Sequence, residues 1–129
     1  MGSAAVPRLS SRELVALGRH SPATTACTVC AALSCPGWES MPGGFDARDL
    51  RRVGTLRDAS DDEPTLDENL PAGLHGWSAA APIDPRWHPY NRCDVWTCAS
   101  CERPFLRFTE YGGYYSDERI RELKAEFVV

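Results

Sequence analysis

The sequence predicts an α+β fold in which a small β-hairpin unit is combined with an N-terminal helix, a C-terminal helix and a long loop-rich insertion. Three observations support this fold class. Both ends of the chain carry capped, amphipathic segments, an aromatic and β-branched stretch precedes Gly112-Gly113, and the region between is rich in proline and glycine. The 129 residues, of which 43% are apolar and 25% charged, match the size and composition of one soluble domain. We therefore expect residues 1–129 to form a single domain.

Two helices are predicted, and each begins at a serine that can cap its first turn. Ser10 or Ser11 can cap a helix that runs to about Arg19. Its inner side carries Leu14, Val15 and Leu17. Ser116 can cap a C-terminal helix over residues 116–127, where acidic residues in the first turn would complement the helix dipole. Its apolar stripe consists of Ile120, Leu123 and Phe127.

The hairpin unit is predicted from two β-prone stretches close to the C-terminus. Residues 94–97 are rich in β-branched and aromatic side chains, and residues 104–111 alternate in part between apolar and polar positions. The two glycines that follow can form a two-residue turn, because both can adopt a positive φ. Residues 114–115 would then begin the returning strand.

Three further segments complete the expected organisation. Residues 1–9 are expected to be a disordered lead. Residues 45–56 follow a helical spacing of apolar and basic side chains, although Gly54 weakens that pattern. Residues 58–69 carry six acidic side chains and no basic one, which predicts a mobile acidic loop. A solvated loop is the simpler interpretation of this segment, and a docking strip or a cation site is the functional alternative.

Cysteine is the most informative residue type in the chain. The six cysteines form two clusters of three with mirrored spacing, C-x2-C-x4-C and C-x4-C-x2-C. A C-x-x-C pair folds into a tight knuckle that directs both sulfur atoms to one tetrahedral metal position, and two knuckles complete a four-cysteine site. The sequence therefore predicts a metal site at Cys27, Cys30, Cys98 and Cys101.

Zinc, at one ion per chain, is the expected occupant of this site. No secretory signal is predicted, so we expect a cytoplasmic protein whose cysteines are reduced and more suited to metal binding than to disulfides. The 67 residues between Cys30 and Cys98 are compatible with one shared site, because the entropy of loop closure grows only logarithmically with length. Iron is not excluded, since Cys93-x4-Cys98-x2-Cys101 matches a ferredoxin-type spacing.

The strand, knuckle and strand over residues 93–115, together with the first knuckle at 27–30, resemble the zinc-ribbon and rubredoxin-like families. The resemblance implies a structural zinc ion held by the four C-x-x-C cysteines. The chain departs from these families after the second knuckle, where Glu102-Arg103 stands and a glycine is lacking. The whole chain also resembles a bacterial protein family from which no activity follows.

The other two cysteines and two histidines are weaker candidates. Cys35 and Cys93 could be additional metal ligands or a redox pair, and buried unreactive thiols are the alternative. His88 and His75 could contribute to a metal site, and His88 could form a nucleophile pair with Cys93. Hydrogen-bonded loop histidines are the simpler interpretation of both.

The charge and the motifs narrow the function classes. The net charge of −4 disfavours nucleic acid, and four thiolates with one Zn²⁺ would make the charge more negative. No stretch is apolar enough to span a membrane. Gly43-Gly44 lacks the Lys-Ser/Thr of a phosphate-binding loop, and an HExxH motif is absent. Because four thiolates also close the zinc coordination shell, catalysis is not expected.

We therefore expect a zinc-binding protein–protein interaction or regulatory module with a protein partner. The first alternative is a nucleic-acid-binding zinc ribbon in which exposed aromatic side chains stack on bases. The aromatic residues concerned are Phe105, Phe108, Tyr111, Tyr114 and Tyr115. The simpler interpretation packs this hairpin face against the C-terminal helix. The second alternative is a thiol-based redox or metal sensor that uses Cys35 and Cys93.

Overall fold

The computed structural model describes residues 6–19, 27–33, 35–111 and 114–129, which contain one helix and a five-stranded antiparallel sheet. The order of strands across the sheet is β1-β5-β4-β3-β2. The elements are α1 (Ser11–Arg19), β1 (Glu39–Ser40), β2 (Leu50–Thr55), β3 (Asp94–Cys98), β4 (Pro104–Tyr111) and β5 (Ser116–Glu122). The described part is thus mostly β, and the expected α+β layout is right only in part.

The N-terminal helix is confirmed, and a capping box explains where it begins. The backbone N–H of Glu13 donates to the Ser10 hydroxyl at 3.2 Å, and the Ser10 N–H donates to the Glu13 carboxylate at 3.0 Å. Leu14 is fully buried on the inner side of the helix. A Cβ on Gly18 would lie only 2.8 Å from the Ala125 backbone nitrogen, so glycine permits close packing against the C-terminal segment.

The predicted C-terminal helix over residues 116–127 is wrong, because most of this segment is strand β5. It pairs antiparallel with β4 from Phe105↔Glu122 to Tyr111↔Ser116. Residues 116–122 are charged and suit a helix locally, but pairing with β4 brings two of these charges beside opposite charges on that strand. One ion pair joins Arg107 to Glu118 at 3.2 Å, and another joins Arg119 to Glu110 at 2.9 Å. A single 3₁₀ turn follows at Ala125–Phe127.

The helical pattern predicted for residues 45–56 is also wrong, since β2 occupies half of this range after a single 3₁₀ turn at Ala47–Asp49. A register shift between Arg52 and Gly54 marks a bulge in the pairing with β3. A Cβ on Gly54 would lie 2.6 Å from the Leu9 side chain, so glycine admits the N-terminal segment. There Thr55 exchanges backbone hydrogen bonds of 3.0 and 2.9 Å with Pro7 and Leu9. Within the expected disordered lead, residues 1–5 lie outside the described part.

The hairpin unit is confirmed in its strands. Strand β3 includes residues 94–97, and β4 spans 104–111. The predicted turn at Gly112-Gly113 lies outside the described residues. The returning strand begins at Ser116, just after the tyrosine pair that was expected to start it.

The sheet separates two apolar clusters, one on each face. We name the first the far-side cluster; its buried members are Leu14, Trp38, Leu56, Ile83, Tyr90, Cys93, Val95, Leu106, Phe108 and Leu123. We name the second the knuckle-side cluster; its buried members are Cys30, Leu33, Cys35, Leu50, Cys98, Phe105 and Ile120. Adjacent strand residues such as Phe105 and Leu106 belong to different clusters, because successive side chains point to opposite faces.

A fully buried arginine on β5 ties two loops to the far side of the sheet. The Arg121 guanidinium donates to the carbonyl of Pro36 at 3.1 Å, to that of Ala79 at 2.9 Å and to the Tyr90 hydroxyl at 2.5 Å. The Trp38 indole N–H donates to the same hydroxyl at 3.2 Å. These bonds satisfy the buried guanidinium and fix the long insertion against the sheet.

The acidic segment 58–69 contains neither helix nor strand, but three of its carbonyls accept hydrogen bonds from the loop before β3. The Arg92 guanidinium donates to the Pro64 carbonyl at 2.7 Å, and the Asn91 side-chain amide donates to the Thr65 carbonyl at 2.9 Å. The backbone N–H of His88 donates to the Asp67 carbonyl at 2.8 Å. Within the described ranges, no helix combines the length and the apolar character needed to cross a bilayer.

Candidate metal centre

The four C-x-x-C cysteines come together on the knuckle side of the sheet. All four Sγ atoms lie within 4.8 Å of one another. The Sγ atoms of Cys27 and Cys98 are 3.8 Å apart, and those of Cys30 and Cys101 are 3.5 Å apart. Zinc–sulfur bonds of about 2.3 Å in a tetrahedron require sulfur atoms roughly 3.8 Å apart. The arrangement therefore has the dimensions of a tetrahedral four-thiolate site.

The first knuckle is held by its own backbone and by one apolar anchor. After Cys30, the Leu33 N–H donates to the Cys30 carbonyl at 2.9 Å and closes a 3₁₀ turn over Ala31–Leu33. Leu33 is 1% exposed and packs in the knuckle-side cluster with Phe105 and Ile120. Burial of this leucine positions the first two cysteines over the sheet.

The second knuckle grows directly out of the sheet, because Cys98 is the last residue of β3 and Pro104 the first of β4. The Cys98 N–H donates to the Arg103 carbonyl at 2.9 Å, and the Glu102 N–H donates to the Cys98 carbonyl at 2.8 Å. The Ala99 N–H also donates at 2.8 Å to the carbonyl of Asp49, the residue before β2. Two paired strands thus flank this knuckle, and Cys98 itself belongs to one of them.

Glu102 completes the second knuckle in a left-handed conformation, with a φ of 67°. It belongs to the Glu102-Arg103 pair that follows the second knuckle, where the expected glycine is lacking. An L-residue there costs roughly 1–2 kcal/mol, because its Cβ approaches the following carbonyl. The knuckle forms despite the absence of glycine, because the surrounding structure holds this residue in its strained backbone conformation.

The pKa values within the cluster differ from sulfur to sulfur. The backbone N–H of Cys30, followed by that of Val29, donates to the Cys27 sulfur and lowers the pKa of Cys27 to about 6. Burial, followed by the neighbouring sulfur atoms, raises the pKa of Cys30. Burial also raises the pKa of Cys101. The site therefore favours one thiolate readily, and a bound cation would be needed to hold all four sulfurs deprotonated.

The structure places Cys35 and Cys93 in different clusters, on opposite faces of the sheet. The Cys35 thiol donates to the Leu33 carbonyl at 3.0 Å, and the Cys93 thiol donates to the Pro89 carbonyl at 3.3 Å. Burial raises the pKa of Cys35 to about 12 and that of Cys93 well above its usual value. Thiols in such surroundings are poor nucleophiles.

The group of four sulfurs includes neither candidate histidine. His75 is exposed. The His88 ring lies edge-on to Phe108, with ring centroids 6.2 Å apart. Burial, followed by the charge of Arg92, lowers the pKa of His88, and its Nδ1 atom has no hydrogen-bond partner among the described residues.

The aromatic cluster of the hairpin divides into a buried and an exposed part. Phe105 and Phe108 are buried in the two apolar clusters. Tyr111, Tyr114 and Tyr115 are 81%, 105% and 59% exposed. The interpretation that packed this face against a C-terminal helix is wrong for the tyrosines, because the helix is a strand that pairs edge to edge with β4.

Sequence reasoning missed a charged groove of about 690 Å³ at the end of the sheet away from the knuckles. Arg52 and Arg57 both contact the Asp94 carboxylate there, at 3.4 and 3.1 Å. The Arg107 guanidinium lies over the Trp96 ring, 4.9 Å from its centroid. Arg52 and Arg57 could have suggested this surface had β2 been predicted as a strand.

Comparisons of the chain with protein-family models, with curated proteins and with solved structures found no match. The case for the metal centre rests on the geometry of the four cysteines.

Proposed function

We propose that Cys27, Cys30, Cys98 and Cys101 bind one zinc ion, and that the ion is structural. The observation that carries the proposal is the approach of all four Sγ atoms to within 4.8 Å of one another. Zinc bound by four cysteines is tetrahedral and keeps no open position, so it supports folding rather than substrate activation. A tetrahedral set of four sulfurs also accepts iron, and the experiment below separates the two metals.

The proposed ion joins two distant parts of the chain. The first knuckle precedes β1, whereas the second connects β3 and β4, and 67 residues separate Cys30 from Cys98. The described segment 27–33 contains only one 3₁₀ turn, and Leu33 is its buried apolar anchor. Zinc binding would supply the remaining stabilisation, because structural zinc sites bind their metal with an apparent free energy of about 10–16 kcal/mol in small peptides.

Metal content tests the proposal directly. The protein is purified without chelators, and zinc and iron are measured per chain by elemental mass spectrometry. We expect one zinc per chain, and loss of that zinc in Cys98→Ser. Cys93→Ser is the matched control, because Cys93 is equally buried but lies in the far-side cluster. Protein without metal would overturn the proposal. Iron with visible absorbance would show that the site binds iron and not zinc.

The biological role that we propose is a protein–protein interaction or regulatory module of the cytoplasm. A closed coordination shell leaves binding surfaces as the means of action. Support comes from the three largely exposed tyrosines on either side of the β4–β5 connection, since aromatic side chains are enriched at interfaces. The net charge of −4 favours a protein partner over nucleic acid.

A salt gradient on a heparin column separates the two kinds of partner. An interaction module of this charge should pass through heparin at low salt. Retention with a steep salt dependence would instead support the nucleic-acid-binding alternative. Tyr114→Ser is the companion variant, because its side chain is fully exposed and its loss should leave the fold unchanged.

A further inference from the structure

Two close approaches between sulfur atoms of the proposed metal centre join one knuckle to the other. Cys27 Sγ lies 3.8 Å from Cys98 Sγ, and Cys30 Sγ lies 3.5 Å from Cys101 Sγ. A disulfide bond is about 2.05 Å long, so each pair would have to close by less than about 2 Å. Rotation of the cysteine side chains in these short turns can supply such small movements.

Exposure differs within each pair. Cys27 and Cys101 are partly exposed, whereas Cys98 and Cys30 are buried. An oxidant dissolved in water therefore reaches one sulfur of each pair first. The buried sulfur beside it is then placed to complete the bond, which is the arrangement of an attacking and a resolving cysteine.

We propose that the metal-free centre is an oxidation site at which peroxide forms two inter-knuckle disulfides, Cys27–Cys98 and Cys30–Cys101. In each pair, the exposed sulfur attacks one oxygen of hydrogen peroxide as a thiolate, becomes a sulfenic acid and releases hydroxide. The buried thiol then attacks the sulfenic sulfur, forms the S–S bond and gives up its proton as water leaves. The hydroxide takes up the proton that the first thiol lost. Each disulfide therefore consumes one peroxide and yields two waters.

The consequence is that a covalent link replaces the ion. Both disulfides would keep the first knuckle on the sheet after metal loss, whereas disulfides within each C-x-x-C pair would leave the knuckles separate. Cys35 and Cys93 stay reduced, because both are buried, both donate to backbone carbonyls, and neither belongs to the group of four sulfur atoms. The inference deepens the proposed metal centre, since it concerns the same side chains.

Peptide mapping of the full chain tests the pairing. Metal-free protein is treated with hydrogen peroxide, free thiols are alkylated, and the product is digested with trypsin without reduction. Tryptic cleavage places one cluster in peptide 20–48 and the other in peptide 93–107, because the Arg103–Pro104 bond resists trypsin. We expect the two peptides joined by two disulfides, each with one alkylated cysteine. Two separate peptides with internal disulfides would overturn the proposal.

Two single variants and a parallel reaction make the result decisive. In Cys27→Ser, we expect one inter-peptide disulfide and an alkylated Cys98. In Cys35→Ser, the matched control, we expect both disulfides. The zinc-loaded protein is oxidised in parallel, so that poor folding of the metal-free chain does not decide the outcome; two peroxides per released zinc are expected there.

The same samples separate this inference from the metal proposal. Protein that binds no zinc but forms both inter-knuckle disulfides would refute the metal centre and support the oxidation site. Protein that binds one zinc but forms internal C-x-x-C disulfides would do the reverse.

Discussion

Replacement of Glu102 by glycine should stabilise the protein, although glycine usually destabilises regular structure. Glu102 has a φ of 67° and an exposed side chain, so the substitution removes backbone strain without removing a buried contact. Relief of the left-handed conformation contributes roughly 1–2 kcal/mol. The greater flexibility of glycine in the unfolded chain costs about 0.5–1 kcal/mol. The expected net gain is therefore roughly 0.5–1 kcal/mol, or about 2–4 °C in Tm.

Thermal and urea unfolding of the metal-loaded Glu102→Gly protein measure this gain. Glu102→Ala is the matched control, because it removes the same side chain while keeping a Cβ, and it should leave stability nearly unchanged. Glu102→Asn should fall between the two, since asparagine tolerates the left-handed region better than most residues. A Glu102→Gly protein that is less stable than Glu102→Ala would refute the backbone explanation.

Three further predictions concern Leu33, Arg121 and His88. Leu33→Ala should lower the free energy of unfolding by about 2–5 kcal/mol and weaken zinc retention against a chelator, because this 1% exposed leucine anchors the first knuckle; unchanged retention would contradict that role. Arg121→Met should cost about 2–4 kcal/mol in urea unfolding, because two backbone carbonyls and the Tyr90 hydroxyl lose their buried donor; a neutral effect would mean that relief of guanidinium desolvation offsets them. Burial and Arg92 lower the pKa of His88, so the folded state disfavours its protonation and stability should fall as the pH drops below about 6.5. His88→Gln should lose less stability than the parent over the same pH range, and equal losses would exclude His88 as the cause.

The N-terminal helix could be predicted because the contact that begins it is local. Helix α1 begins at a reciprocal pair, Ser10 and Glu13, that is three residues apart in the sequence. The four-cysteine group could be expected from the two C-x-x-C spacings, because each pair can direct both of its sulfur atoms to one metal position. Strand β3 and strand β4 follow from β-branched and aromatic residues that also fill the two apolar clusters.

Predictions failed where distant parts of the chain decide the structure. Residues 116–122 favour a helix by composition, but Arg119 gains Glu110 across the sheet only when both segments are strands. Gly54 weakened the helical pattern of β2, yet its actual role is to admit Leu9, a contact that no local pattern reveals. The exposure of the tyrosines was not predicted for the same reason, because a C-terminal helix was expected to cover them.

The edges of the sheet bear on how the protein behaves at high concentration. Strand β1 is only two residues long, so one border offers little backbone to a neighbouring molecule. At the other border, Thr55 at the end of β2 donates to the Pro7 carbonyl and accepts from the Leu9 N–H, and the exposed side chain of Arg51 lies on the same strand. An edge strand that is short, already hydrogen-bonded or charged disfavours the edge-to-edge strand pairing by which sheets aggregate. Removal of the first nine residues should therefore make the protein prone to self-assembly while the four cysteines remain in place.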